Sequence, residues 1–95
     1  MPKVHYSTLA AHDLFENAEY IAQDKPAAAY RWIEKIESAC EFIAANPEVG
    51  QQRATHGFGD CRSFTCGRYV VFFRRVTDGV EIVRIVRGER DLESL

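Results

Sequence analysis

The side chains best equipped for chemistry in this chain are arginines. Arg53, Arg62, Arg68, Arg74, Arg75, Arg84, Arg87 and Arg90 all fall in residues 51–95, a stretch that contains no lysine. A guanidinium is chosen over an ammonium where a planar fork must grip a carboxylate, a phosphate or an aromatic face. The arginines therefore fit one of two jobs, holding an acidic or phosphate-bearing partner or solvating one face of a sheet. The ending GVEIVRIVRGERDLESL concentrates the pattern. It alternates apolar and charged residues up to Arg87, pauses at Gly88, and closes on Glu89, Arg90, Asp91 and a short tail with Leu92 and Leu95.

Other chemistries are poorly supplied. Cys40, Cys61 and Cys66 are an odd set with no accompanying CxxC or HxxxH, so they read as small apolar thiols and no metal is expected. His56 stands beside a glycine in ATHGFGD, a setting for a general acid or base, but no partner accompanies it. His5 and His12 have less support, and Ser63 and Thr65 lack the sequence context of a hydrolase triad. GFGD is not GxGxxG and does not open a helix, so nucleotide binding is set aside and no cofactor is expected.

A chain of 95 residues is one domain with a single modest core, and 46% hydrophobic with 27% charged residues is ordinary for a globular protein. The formal charge of −2 conceals an asymmetry: residues 1–50 hold four bases against eight acids, and residues 51–95 hold eight arginines against six acids. A pI of about 5.9 argues against phosphate tracking as the main task. No run of about 18 apolar residues appears, nor the apolar stretch of a signal peptide, and the expected location is the cytoplasm.

These side chains need a frame. KVHYS alternates and predicts a short first strand. Ser7 or Thr8 offers an N-cap to a helix through about Gln23, with Leu14, Ala18, Ile21 and Ala22 on its apolar face. Asp24 is the expected cap of a second helix with Pro26 in its first turn, in which Trp32, Ile36, Ala39, Cys40 and Ile43 recur at helical spacing until ANP stops it. PEVGQQRATHGFGD reads as a loop. Three strands follow, CRSFTCG and the two arms of RYVVFFRRVTDGVEIVRIVRG, antiparallel about a turn at Thr77, Asp78 and Gly79. Strict alternation in the last strand puts Ile82, Arg84 and Val86 on one face and Val83, Ile85 and Arg87 on the other. The predicted class is α+β: a short N-terminal strand and a helical hairpin packed on a C-terminal three-stranded antiparallel sheet. Leu14, Ile21, Trp32, Ile36 and Ile43 are expected to meet Phe64, Val71 or Phe72, Phe73, Val83 and Ile85.

AAHDLFENAEYIAQDKPAAAYRWIEKI, ANPEVGQQR, GRYVVFFR and VEIVRIVRGERD, in that order, resemble the ParE branch of the RelE/ParE toxins of bacterial toxin–antitoxin systems. The resemblance covers nearly the whole chain as one domain. It implies a toxin neutralised by a small ParD-like antitoxin in a hetero-oligomer, with operator DNA contacted only indirectly through that antitoxin and no membrane partner. The free toxin of this family attacks either DNA gyrase or ribosome-bound mRNA, and fold alone does not choose between them.

An mRNA-cutting relative works without metal, through a lysine pair, sheet arginines and a C-terminal tyrosine that activate a 2′-hydroxyl and stabilise the phosphorane. Here Arg62, Arg68, Arg84 and Arg90 are the residues such an endonuclease would use. Val70 stands where the RelE pattern has an arginine, and no tyrosine follows Tyr69. The favoured reading is a gyrase inhibitor acting by protein contact, with no catalytic residue. The alternatives are a RelE-like ribosome-dependent endonuclease and a degenerate antitoxin-binding or corepressor module. The resemblance places target contacts at Arg84, Arg87, Arg90, Asp91, Leu92 and Leu95. The expected antitoxin groove has a floor of Tyr69, Val71, Phe73 and Tyr30 and a rim of Arg53, Arg62, Arg74 and Arg75.

Overall fold

The computed structural model describes residues 1–53 and 61–88, with the side chain of Arg53 outside the description. The chain runs β1 (Lys3–Tyr6), α1 (Thr8–Asp24), α2 (Pro26–Ala45), β2 (Gln51–Arg53), β3 (Cys61–Cys66), β4 (Tyr69–Val76) and β5 (Gly79–Arg87). The strands form one mixed sheet in the order β1-β5-β4-β3-β2. The antiparallel β3-β4-β5 meander is as expected. It is extended by β1, parallel to β5 from Lys3 opposite Gly79 to Tyr6 opposite Ile82, and by β2, antiparallel to β3 within the stretch read as loop. Gly79 permits the first of these additions, because a Cβ there would meet the Lys3 carbonyl oxygen at 2.0 Å.

Ser7 caps α1 by accepting from the Ala10 N–H at 3.0 Å. The second cap differs from expectation: Asp24 ends α1, and Lys25 precedes α2 without a side-chain cap bond, leaving Pro26 to open the helix.

The helical hairpin lies on one face of the sheet. Ala10, Ile36, Cys40, Ile43 and Ala44 meet Val71, Phe73, Val80, Ile82 and Ile85, with Leu14, Trp32, Phe64 and Tyr69 packed around them. Trp32 leans on Tyr69 at 5.0 Å between ring centroids, and its buried indole N–H meets no acceptor among the described residues, so packing alone carries its contribution. Because side chains alternate, Phe72 and Val70 point to the opposite face, where they form a second buried cluster with Cys61, Val86 and Val83.

Ile82 and Ile85 share the helix-facing side, which corrects the strict alternation expected for β5. The register shifts between Phe72 and Phe73: Phe72 pairs with Arg84 but Phe73 pairs with Ile82. Val83 is the extra residue of a β-bulge, which resets the alternation.

Burial separates the three thiols. Cys40 and Cys61 are enclosed and Cys66 is half-buried, while burial pushes the Cys40 thiol up to about 11 despite a hydrogen bond with Tyr6 that pulls the other way. The thiolate is the reactive form, so at pH 8 one equivalent of Ellman's reagent should react promptly at Cys66. The other two thiols should react only on denaturation. Prompt reaction of all three would show that the core opens readily.

Candidate functional site

The site begins where β1 stops. β5 continues past its pairing with Tyr6, so among the described residues no strand lies beside its edge beyond Ile82, and an unpaired edge presents backbone donors and acceptors that need partners. α1 supplies them. The Ser7 N–H donates to the Ile82 carbonyl at 2.9 Å and the Ser7 hydroxyl to the Val83 carbonyl at 2.8 Å, so the residue that caps the helix also ties down the bulge.

Further along α1, Asp13 accepts three hydrogen bonds: from Arg84 Nε at 2.7 Å, from Arg84 Nη2 at 3.0 Å and from the Ile85 backbone N–H at 2.9 Å. The carboxylate is 11% exposed and the guanidinium 25%. A bidentate pair of this kind fixes both partners in orientation as well as neutralising them. Asn17 adds a bond from its amide to the Asp13 carbonyl at 2.8 Å, stitching that turn of the helix.

An open cleft of about 220 Å³ lies beside this latch, lined by Asp13, Glu16 and Asn17 from α1 and by Arg84, Ile85, Val86 and Arg87 from β5. Glu16 pairs with His12 one turn earlier, and Arg87 is exposed at the strand exit. The α1 wall carries carboxylates and the β5 wall arginines, which suits recognition of a polar surface. Among the described residues no group of His, Cys, Asp and Glu side chains gathers to hold a metal ion.

The family model for the ParE toxin of the type II toxin–antitoxin system parDE matches residues 4–92. The chain belongs to the ParE toxin family. Its fold is also that of a solved chromosomal ParDE toxin–antitoxin system from P. aeruginosa, with a TM-score of 0.74 at 23% identity over 94% of this chain and 98% of that one. No curated protein sequence matches it. No helix among the described residues is long and apolar enough to cross a membrane.

In this ParE toxin, the structure brings together Arg84 and Arg87 of the expected target surface, while Arg90, Asp91, Leu92 and Leu95 lie outside the described residues. Asp13 was missed in sequence. It reads as one more acid on the polar side of α1, and only the tertiary fold sets it against Arg84.

The expected antitoxin groove does not form as drawn. Val71 and Phe73 are fully enclosed beneath the helices and cannot floor a surface groove. Arg62 is a structural clamp rather than a rim residue: Nε donates to the Val49 carbonyl at 2.9 Å, and Nη2 reaches the carbonyls of Glu48 and Gly50, closing the turn from α2 into β2. Arg74 is on the sheet face away from the helices, paired with Glu81 at 2.6 Å. Arg75 sits 3.9 Å from Glu48, its side chain mostly exposed. Tyr30 is 72% exposed, on the flank of α2 that turns away from Tyr69. Only the backbone of Arg53 is described, opposite Cys61.

The arginines an endonuclease would use are likewise dispersed. Arg62 clamps a turn from β3, Arg68 is exposed in the β3–β4 turn, and Arg84 is latched to α1 on the far side of β4.

Proposed function

We propose that this ParE toxin inhibits DNA gyrase by protein–protein contact and is neutralised by a ParD-like antitoxin, which alone carries the complex to operator DNA. The observation that supports it is the dispersal of Arg62, Arg68 and Arg84, two of them committed to contacts within the chain. In-line cleavage of RNA needs several cationic groups around one phosphate, and a guanidinium held by carbonyls or by a carboxylate is poorly available for that. A protein interface asks for something else: arginines aimed from a rigid strand, with stems that bury apolar area. Arg87, exposed at the strand exit, meets that description at the mouth of the cleft, and Arg84, fixed by Asp13, forms the wall beside it.

The purified chain is expected to block supercoiling by gyrase and to leave cell-free translation of a reporter mRNA intact. The opposite pattern would favour the ribosome-dependent endonuclease, and inactivity in both assays the degenerate module. Within the gyrase reading, deleting residues 89–95 should abolish inhibition, and Arg90→Ala should weaken it by on the order of tenfold, as for an interface arginine, with antitoxin affinity unchanged. If inhibition survives both changes, the charged ending plays no part in target contact.

A further inference from the structure

The chain fills the outer edge of β5 from within, but only part of the way. β1 pairs along it to Ile82, Ser7 takes the carbonyls of Ile82 and Val83, and Asp13 takes the Ile85 N–H at 2.9 Å. On the opposite edge, the Gly88 N–H donates to the Arg68 carbonyl at 2.7 Å, where the ladder with β4 ends. Residues of an antiparallel pair alternate between aiming both backbone groups at the neighbouring strand and aiming both away. With Ile85 turned outward and Gly88 inward, Arg87, which lies opposite Tyr69, is turned outward too. The Ile85 carbonyl and the N–H and carbonyl of Arg87 therefore face away from β4, on the side of α1, and among the described residues none of the three meets a partner.

The cleft runs beside Arg84 to Arg87, roughly 10 Å of strand at about 3.3 Å per residue. A helix could not complete this edge, because its own backbone groups are already paired, whereas a short extended segment brings the donors and acceptors that the edge lacks. We propose that an extended segment of the toxin's target adds here as a strand in line with β1, pairing its main chain with Ile85 and Arg87; this rests on the gyrase reading. The edge lies between the two described arginines of the target surface, and the charges along it indicate what the segment carries. Arg84 is neutralised by Asp13, which leaves the exposed Arg87 on the strand side and the exposed Glu16 on the helix side. A segment with an acidic side chain toward Arg87 and a basic one toward α1 fits, and the reverse order is repelled at both ends. Main-chain bonds supply affinity, and the two charges supply the choice of partner.

The test is hydrogen exchange, read residue by residue on the full chain, free and bound to the gyrase holoenzyme. The Arg87 amide should exchange fast in the free chain and slow by at least about tenfold in the complex, while the Val86 amide, inside the ladder, is protected in both. Arg87→Ala and Arg87→Pro separate side chain from main chain: both lose the guanidinium, only proline loses the outward N–H, and neither removes a ladder bond. Arg87→Pro should inhibit supercoiling about tenfold less strongly than Arg87→Ala, through the carbonyl it leaves unpaired in the target. Binding with the Arg87 amide still fast, or equal inhibition by the two folded variants, would overturn strand addition and leave the gyrase reading standing. An Arg87 amide already slow in the free chain would also overturn it, showing an edge filled from within the chain, or by a second copy where the slowing depends on concentration. Slowing by the antitoxin and not by gyrase would give the edge to the antitoxin instead. If the chain neither binds nor inhibits gyrase, the gyrase reading itself falls and the proposal with it.

Discussion

Phe73→Ala is expected to unfold much of the population at physiological temperature. Phe73 is fully enclosed between the helices and the middle of the sheet, in contact with the cluster that joins Ile36 and Ile43 to Val71 and Ile82. Removing a ring from such a place loses its transfer free energy and leaves a cavity that a close-packed interior cannot fill, about 3 to 5 kcal/mol in all. A domain of this size has a total stability of only about 5 to 15 kcal/mol, and each kcal/mol moves its melting temperature by roughly 4 to 8 °C. The melting temperature should therefore fall by roughly 15 °C or more in a thermal scan followed by circular dichroism. Phe15→Ala supplies the contrast, because that ring is 64% exposed on α1 and its loss should be nearly silent. A Phe73→Ala variant that melts with the parent would mean that the hairpin does not pack on this face.

The same pair of residues indicates what sequence could and could not give. Helical period placed the apolar stripes of α1 and α2 correctly, because one face of each helix is polar and the pattern has a single solution. β4 is different. YVVFFRRV is apolar at consecutive positions, so alternation tells which residues share a face but not which face the helices cover. Val71 and Phe73 were therefore expected both under the helices and on the floor of an antitoxin groove, and only the first holds. The bulge at Val83 was also invisible, since nothing in VEIVRIVR distinguishes an extra residue from a regular strand, and its effect is to reverse the face of everything after it. β1 was legible as a strand from the alternation in KVHYS, though not its parallel pairing with β5, while β2 is a pairing of three residues, too brief for a periodic signal.

The site followed the same logic. Arginine content pointed to recognition, yet sequence could not say which forks were already occupied. Arg62 was read as a rim residue and proves to be spent on three backbone carbonyls, a use that leaves no mark in CRSFTC. The aromatic pairs between α2 and the sheet were in view as separate residues. What was missing was the crossing of the helix over the sheet that puts Phe42 on Phe64 and Trp32 on Tyr69.

Asp13 carries the other large expected effect. Asp13→Ala removes the acceptor of three donors at once, two on Arg84 and the backbone N–H of Ile85. An unsatisfied N–H at a covered strand edge costs about 1 to 3 kcal/mol, and breaking a fully buried ion pair about 3 to 5 kcal/mol. Arg84 is 25% exposed and recovers part of its hydration, so a net loss of about 2 to 3 kcal/mol is expected, read as a lower urea midpoint at an unchanged slope. Asp13→Asn separates the two components. Its amide oxygen can still accept from Ile85 and from Arg84 Nε, which share one carboxylate oxygen, but its amide nitrogen is a donor facing Arg84 Nη2, so the strand edge stays satisfied while Arg84 loses its second bond and its charge partner. The asparagine variant should accordingly fold, with a urea midpoint above that of Asp13→Ala. On the proposed gyrase reading, inhibition should nevertheless weaken by on the order of tenfold, since an arginine held by fewer bonds must be ordered again when the target binds. Arg84→Ala should weaken inhibition at least as far. If Asp13→Asn inhibits supercoiling as strongly as the parent while Arg84→Ala does not, Arg84 finds its target without being held and the latch serves only the fold. If neither change affects inhibition, the gyrase-facing surface lies away from the β5 exit altogether.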